Sequence, residues 1–176
     1  PFHRHRAAAH RAMRPERPYQ LIWRRGLPLS IRMLNGQHVS QGVVPVQFPT
    51  RKAEEALYFL ALQPDRTSTA EILAAALWPD ASPKQARQRV NTVVWQLKTA
   101  LGLGSERIQR AHNRIHLDLD DHECDLFQRV PSATWDHPPA RTAHHDHGQK
   151  FAPHERLLPA FAESEWINDL QYHLHR

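Results

Sequence analysis

The chain has 176 residues, with 23 Lys and Arg against 18 Asp and Glu and a formal net charge of +5. That length suits one domain of about 100–150 residues plus extensions, and a single cysteine, Cys124, excludes an internal disulfide and suits a reducing cytoplasm. No apolar run approaches the roughly 18 residues that would span a membrane, no signal-peptide pattern is present, and a start at Pro1 rather than Met is read as a processed form or a piece of a longer protein.

Charge is spread unevenly. Residues 1–20 hold five Arg against one Glu, residues 21–128 hold thirteen basic against eleven acidic residues, and residues 129–176 hold five against six. The basic excess is compatible with a nucleic-acid partner. Because the middle is nearly neutral, any such affinity must come from where its charges sit. Residues 1–20, rich in Arg and His with Pro15 and Pro18, read as a flexible basic tail. From Leu21 to Phe48 the pattern turns to short β-like runs. Leu21–Trp23 and Leu29–Leu34 alternate apolar and polar, Asn35-Gly36 is a hairpin turn signal, and Val39 and Val43–Phe48 supply further strands with Pro45 at an edge.

Thr50 is placed to cap a helix over Arg51–Leu62, whose Ala53, Ala56, Leu57, Leu60 and Ala61 form an apolar stripe. Thr67-Ser68-Thr69 reads as the cap of the next helix, with Ile72, Leu73, Ala76 and Leu77 apolar and Glu71 complementing its dipole. Pro79 stops that helix after Trp78. The short connector Pro79–Ala81 then forces a sharp angle into a third helix, Ser82–Leu101.

On a 3.6-residue period Ala86, Val90, Val93, Val94, Leu97, Ala100 and Leu101 share one face of the third helix. The opposite face carries Lys84, Gln88, Asn91, Thr92, Trp95 and Thr99, flanked by Arg87, Gln96 and Lys98. Four cations and no acid sit on this helix, where an ordinary solvated helix mixes both signs. A face of Gln, Asn and Thr edged by positive charge suits base edges between two phosphate backbones. Two helices joined by a short link, the second of them basic, are the sequence image of a helix-turn-helix.

Gly102 and Gly104 end the third helix. Arg107–Arg110 and Arg114–Leu119 alternate as a hairpin joined by Ala111-His112-Asn113, a wing with Arg110, His112 and Arg114 clustered at its tip. Asp120–Asp125 is read as a solvated acidic surface turn. Residues 129–154 form a Pro- and His-rich linker and residues 155–176 a C-terminal helix. His137, His144, His145, His147 and His154 lack the fixed spacing of a metal site. His122 and Cys124 define no catalytic pair, and no phosphate loop or close carboxylate pair appears. No enzyme activity, cofactor or metal is expected.

The order of sheet, three helices and hairpin predicts an α+β fold, a winged helix-turn-helix over residues 21–128 with a short C-terminal helical extension. The stretches FPTRKAEEALYFLAL (Phe48–Leu62), AEILAAALWPDASPKQAR (Ala70–Arg87) and VNTVVWQLKTALG (Val90–Gly102) resemble the winged helix-turn-helix DNA-binding domain of response-regulator type. The closest resemblance is to the Streptomyces antibiotic regulatory proteins and their relatives with a bacterial transcriptional activator domain. It covers about residues 28–128. It implies a third helix in the major groove of double-stranded DNA, with Gln88, Thr92 and Gln96 facing bases and Asn91 and Trp95 beside them. It also implies that the connector before that helix faces RNA polymerase and that two copies occupy repeated half-sites, as a homodimer or in tandem. The hairpin RAHNRIHLDL departs from the family in lacking its usual glycines and aromatic. The segments Asp125–Phe127 and Leu157–Leu174 look like the beginning of the helical domain that follows in the family. They stand either as a cut edge or as a short extension packed on the winged helix or on a second subunit. No receiver domain precedes residue 21, so aspartyl phosphorylation is not expected.

The expectation is therefore a cytoplasmic transcriptional regulator, an activator. Arg51, Lys52, Lys84, Arg87, Lys98, Arg110 and Arg114 would hold phosphates, and Gln88, Asn91, Thr92, Trp95 and Gln96 would face bases. Asn and Gln amides would pair with adenine and Thr would pack on thymine methyls. The alternative is a protein-interaction adaptor that keeps the fold without specific DNA binding and uses Trp95 and the helix Glu163–Leu174 on a partner.

Overall fold

The computed structural model describes residues 26–129 and 154–174. The expected strand Leu21–Trp23, the basic tail and most of the His-rich linker lie outside them. Among the described residues the fold is α+β, with two small antiparallel sheets and five helices, an arrangement compatible with a winged helix. None of those helices is long and apolar enough to cross a membrane.

The first sheet orders β1 (Leu29–Arg32), β2 (His38–Gln41) and β3 (Val44–Pro45) in sequence. Leu29 and Ile31 alternate inward while Ser30 and Arg32 face out, the period-2 pattern of a half-buried strand. Asn35 (φ 57°) and Gly36 (φ 147°) make the first turn, and Pro45 lies on the edge strand β3, where its missing N–H costs nothing.

Thr50 caps α1 (Arg51–Ala61) by accepting the Ala53 N–H at 3.2 Å. One apolar stripe was expected on α1, yet Glu55, Tyr58 and Phe59 are buried as well. The second partner is the C-terminal segment, which packs on the winged helix, one of the alternatives the sequence left open. Phe161 meets Tyr58 edge-on at 5.8 Å, and Trp166 meets Phe59 at 5.2 Å. Such ring pairs add about 0.5–1.5 kcal/mol beyond their burial. The Tyr58 hydroxyl donates to Glu54 at 3.0 Å, and burial first, then that carboxylate, raises its pKa above the usual tyrosine range.

Thr67–Thr69 was expected only to cap. Thr69 does cap α2 (Ala70–Leu77), accepting the Ile72 N–H, but all three residues also form a strand, β4. β-Branched residues favour extended backbone, and β4 pairs with the hairpin to give the order β4-β6-β5. The hairpin strands β5 (Ile108–Ala111) and β6 (Arg114–Leu117) meet at a turn with His112 in the left-handed region. α3 (Pro83–Leu101) opens on a capping box between Ser82 and Gln85 and buries Val90, Val93, Val94, Leu97 and Leu101.

The reading of Asp120–Asp125 as a solvated turn is overturned. Glu123 is buried and forms a two-pronged pair with buried Arg107, at 2.8 and 2.9 Å. Its carboxylate also accepts the N–H groups of Leu29 at 2.8 Å and Asp120 at 3.0 Å. Asp125, at the start of α4 (Asp125–Arg129), accepts those of Met33 at 2.8 Å and Leu34 at 3.2 Å. The outer edge of β1 would otherwise leave these donors unpaired; two carboxylates stand where a further strand would pair. Arg107, expected on a strand, is the buried partner instead.

Beyond His154 the chain returns to the same edge. Leu157 bridges Leu34, and the Leu158 N–H donates to Met33 O at 2.7 Å. α5 (Glu165–Leu174) then buries Ile167 and Leu170. Its first turn and the residue before it reach Glu55, whose Oε1 accepts from Ser164 Oγ at 2.7 Å and Trp166 Nε1 at 3.0 Å.

Removing one partner of a buried ion pair leaves the other charge uncompensated. Glu123→Ala is therefore expected to lower unfolding free energy by about 3–5 kcal/mol in urea titrations, and the double variant Arg107→Met/Glu123→Leu by less. A loss below about 1 kcal/mol for Glu123→Ala would mean that the pair does not close the β1 edge. Cys124 is buried, and that burial pushes its thiol up to about 12. The neutral thiol's contribution to stability is full below the unfolded pKa, about 8.5, and is lost as pH rises toward the folded value. A thiol reagent at pH 8 should modify Cys124 only after unfolding; rapid labelling of folded protein would contradict the burial.

Candidate nucleic-acid interface

α3 turns its polar side outward because its valines and leucines are held by α1, α2 and the hairpin sheet. Lys84, Arg87, Gln88, Asn91, Thr92 and Trp95 are exposed, Trp95 by 64%, while Gln96 and Lys98 are half-buried. Two hydrogen bonds border this face. On the hairpin side Arg110 donates to Asn91 Oδ1 at 2.7 Å. On the α1 side the Thr50 hydroxyl donates to Gln96 Oε1 at 2.9 Å.

Between α3, the start of α1 and the end of α2 runs an open groove of about 440 Å³, lined by Thr50, Lys52, Trp78, Gln85, Gln88, Arg89, Thr92, Val93 and Gln96. The three expected base-facing residues therefore meet on one wall. The Thr92 hydroxyl donates to Gln88 O at 3.1 Å, which leaves its methyl group and lone pairs for the groove. Arg89 sits over the Trp78 ring at 6.0 Å, within cation–π reach.

Arg51 and Lys52 lie apart from the hairpin cations, on the first turn of α1. Arg51 pairs with Glu163 at 2.6 Å, reaches the Ala160 carbonyl and lies 4.9 Å from the Phe161 ring centre. Lys52 pairs with Glu55 at 2.8 Å while bordering the groove. Arg114 opens β6 beside the turn, exposed like His112. An acid also approaches this tip: Asn113 donates to Glu71, and that hydrogen bond above all holds the Glu71 carboxyl below its ordinary range.

Sequence reasoning took Thr50 only as a cap and gave no role to Trp78 or Arg89. Thr50 and Gln96 stand 46 residues apart, so no local pattern could join them. Among the described residues no group of three His, Cys, Asp or Glu is placed to hold a metal ion. His137, His144, His145 and His147 lie outside those residues.

Neither a protein-family model nor a curated protein matches the chain. Among solved structures it is similar to EmbR of Mycobacterium tuberculosis, determined in complex with a low-affinity phosphopeptide. The TM-score is 0.50 and the identity 26%, over 56% of this chain and 27% of EmbR. The likeness thus spans about a quarter of EmbR's length. It supports, as a class, the winged-helix antibiotic regulatory proteins that Phe48–Gly102 resembles.

Glu55, paired with Lys52 on its own helix, holds the C-terminal segment through two donors. In Glu55→Ala, amide hydrogens of residues 164–170 should exchange about ten-fold faster or more. Unchanged exchange there would show that the aromatic contacts suffice.

Proposed function

We propose that this chain is a sequence-specific double-stranded DNA-binding transcriptional regulator, an activator, that lays α3 in the major groove and the β5–β6 wing on the adjacent groove. The observation that carries the reading is the exposed, acid-free face of α3, bordered by Arg110 on one side and Thr50 on the other. The likeness to EmbR supports a transcriptional regulator of the antibiotic-regulatory-protein type. Gln88 and Thr92 would meet base edges, with Trp95, Asn91 and Gln96 beside them. Lys84, Arg87, Lys98 and Arg114 would hold phosphates, while Arg51 and Lys52 would first have to leave Glu163 and Glu55. The connector before α3 would face RNA polymerase, and two copies would occupy repeated half-sites. The work of such a regulator is binding and needs no cofactor.

The deciding experiment is selection from a random DNA pool, followed by titration of the winning site at two salt concentrations. A recovered repeat bound about a thousand-fold or more above random DNA, with a steep salt slope, is expected. Gln88→Ala should relax preference at one base position, whereas Arg87→Ala should weaken all sequences alike and reduce the salt slope by about one. If Arg87→Ala changed base preference and left the slope alone, that division of roles would be wrong.

Trp95 favours a second reading. A tryptophan with 64% of its surface exposed suits a protein partner, and an adaptor that keeps this fold would bind no DNA specifically. Absence of any selected motif would point there.

A further inference from the structure

Asn91 stands on the exposed face of α3, where a free side-chain amide could offer a base either its oxygen or its NH2 group. The contact with the hairpin biases that choice. A guanidinium has five N–H donors and no acceptor, so only the amide oxygen can meet Arg110, and it does so at 2.7 Å. Turning the amide over would set N–H against N–H beside a positive charge. The oxygen keeps a second lone pair, but that lone pair lies beside a guanidinium, so the NH2 group is the side of Asn91 that meets a base most favourably. The guanidinium beside it has only further donors, and its charge repels the exocyclic amines of adenine N6 and cytosine N4.

We propose that Asn91 and Arg110 form one donor-biased reader, which selects guanine N7/O6, with thymine O4 next, at the base facing Asn91. Arg110 is then a specificity-determining residue rather than a phosphate anchor. The inference rests on the DNA-binding reading above and departs from an Asn–adenine pairing. Thr92, one residue on, supplies a contrast. Its hydroxyl proton is directed to Gln88 O, so toward a base it can only accept or pack its methyl. The two neighbours thus ask for opposite edges, and this polarity is set by contacts within the protein.

The test is the affinity of the full chain for its selected site with each position changed in turn to the other three bases. Wild type should prefer guanine or thymine over adenine and cytosine by about ten-fold or more at one position. Asn91→Ala and Arg110→Ala should both flatten that same position. In Arg110→Ala adenine should gain most, because the freed amide can turn. Arg110→Lys, which still only donates, should keep the preference, a rescue that loss of hairpin structure would not give. The proposal is overturned if Arg110→Ala lowers affinity for every sequence equally, or if adenine or cytosine is preferred where Asn91→Ala acts. A wild-type protein with no preference at any position would instead remove the DNA-binding reading itself.

Discussion

The buried pair between Arg107 and Glu123 is the constraint on which the arrangement of the rest depends. Each side chain is only 3% exposed, and two bare charges there would cost several kcal/mol apiece. They are tolerated because nearly every polar atom is used. Arg107 also donates to Asp118 O at 3.0 Å and, at a longer 3.4 Å, to Leu27 O. Glu123 takes the Leu29 and Asp120 N–H groups. One pair thereby joins the chain just beyond α3, the exit of the hairpin, the turn before α4 and the first strand. The angle between α3 and the hairpin is set from behind, and the exposed edge of β1 is closed to pairing with another chain.

A nearly neutral middle segment can still present a basic face. Several of its acids point inward or are matched: Glu123 to Arg107, Glu55 to Lys52 and two donors on the C-terminal segment, Asp125 to backbone N–H groups of the first sheet, and Asp121 to Arg66. The cations of α3 lie outward with no acid on their own helix. Net charge is a sum over positions, and here four cations are gathered on α3 while the matched acids stand on other elements. A total of +5 understates the field at α3.

Legibility in the sequence follows the range of the interactions. α1, α2 and α3 could be read because caps, prolines and a 3.6-residue period act within a turn or two. The exposed face of α3 could be read because its buried face was regular. Thr67–Thr69 was half legible, since a cap is local but strand pairing to residues 114–116 lies some 47 residues away. Asp120–Asp125 was misread for the same reason. An acidic run looks solvated until the first-sheet partners of Glu123 and Asp125, more than 90 residues back, are known. The C-terminal cover was legible as a segment that could pack on the winged helix, but its seat on α1 depends on contacts more than 100 residues apart.

The first turn of α1 is where α3 and the C-terminal segment meet. Thr50 caps the helix through Ala53 and binds Gln96 on α3, so the helix start and the edge of the candidate reading face share one hydroxyl. The next two residues face the other way, Arg51 to Glu163 and Ala160, Lys52 to Glu55. Glu55 in turn holds Ser164 and Trp166. A change in how the C-terminal segment sits would reach these cations directly, through Glu163 and Glu55. Because Tyr58 and Phe59 lock the same helix to that segment by ring contacts, α1 cannot shift as a free rod. The cheaper motion is rotation of the Lys52 side chain, which pairs with Glu55 and also borders the groove. Both positions are within reach of a long flexible stem, and their balance is electrostatic, weakened by salt on both sides. The fold thus links its C-terminal cover to the charge at the rim of α3 without moving the helix that would carry the reading.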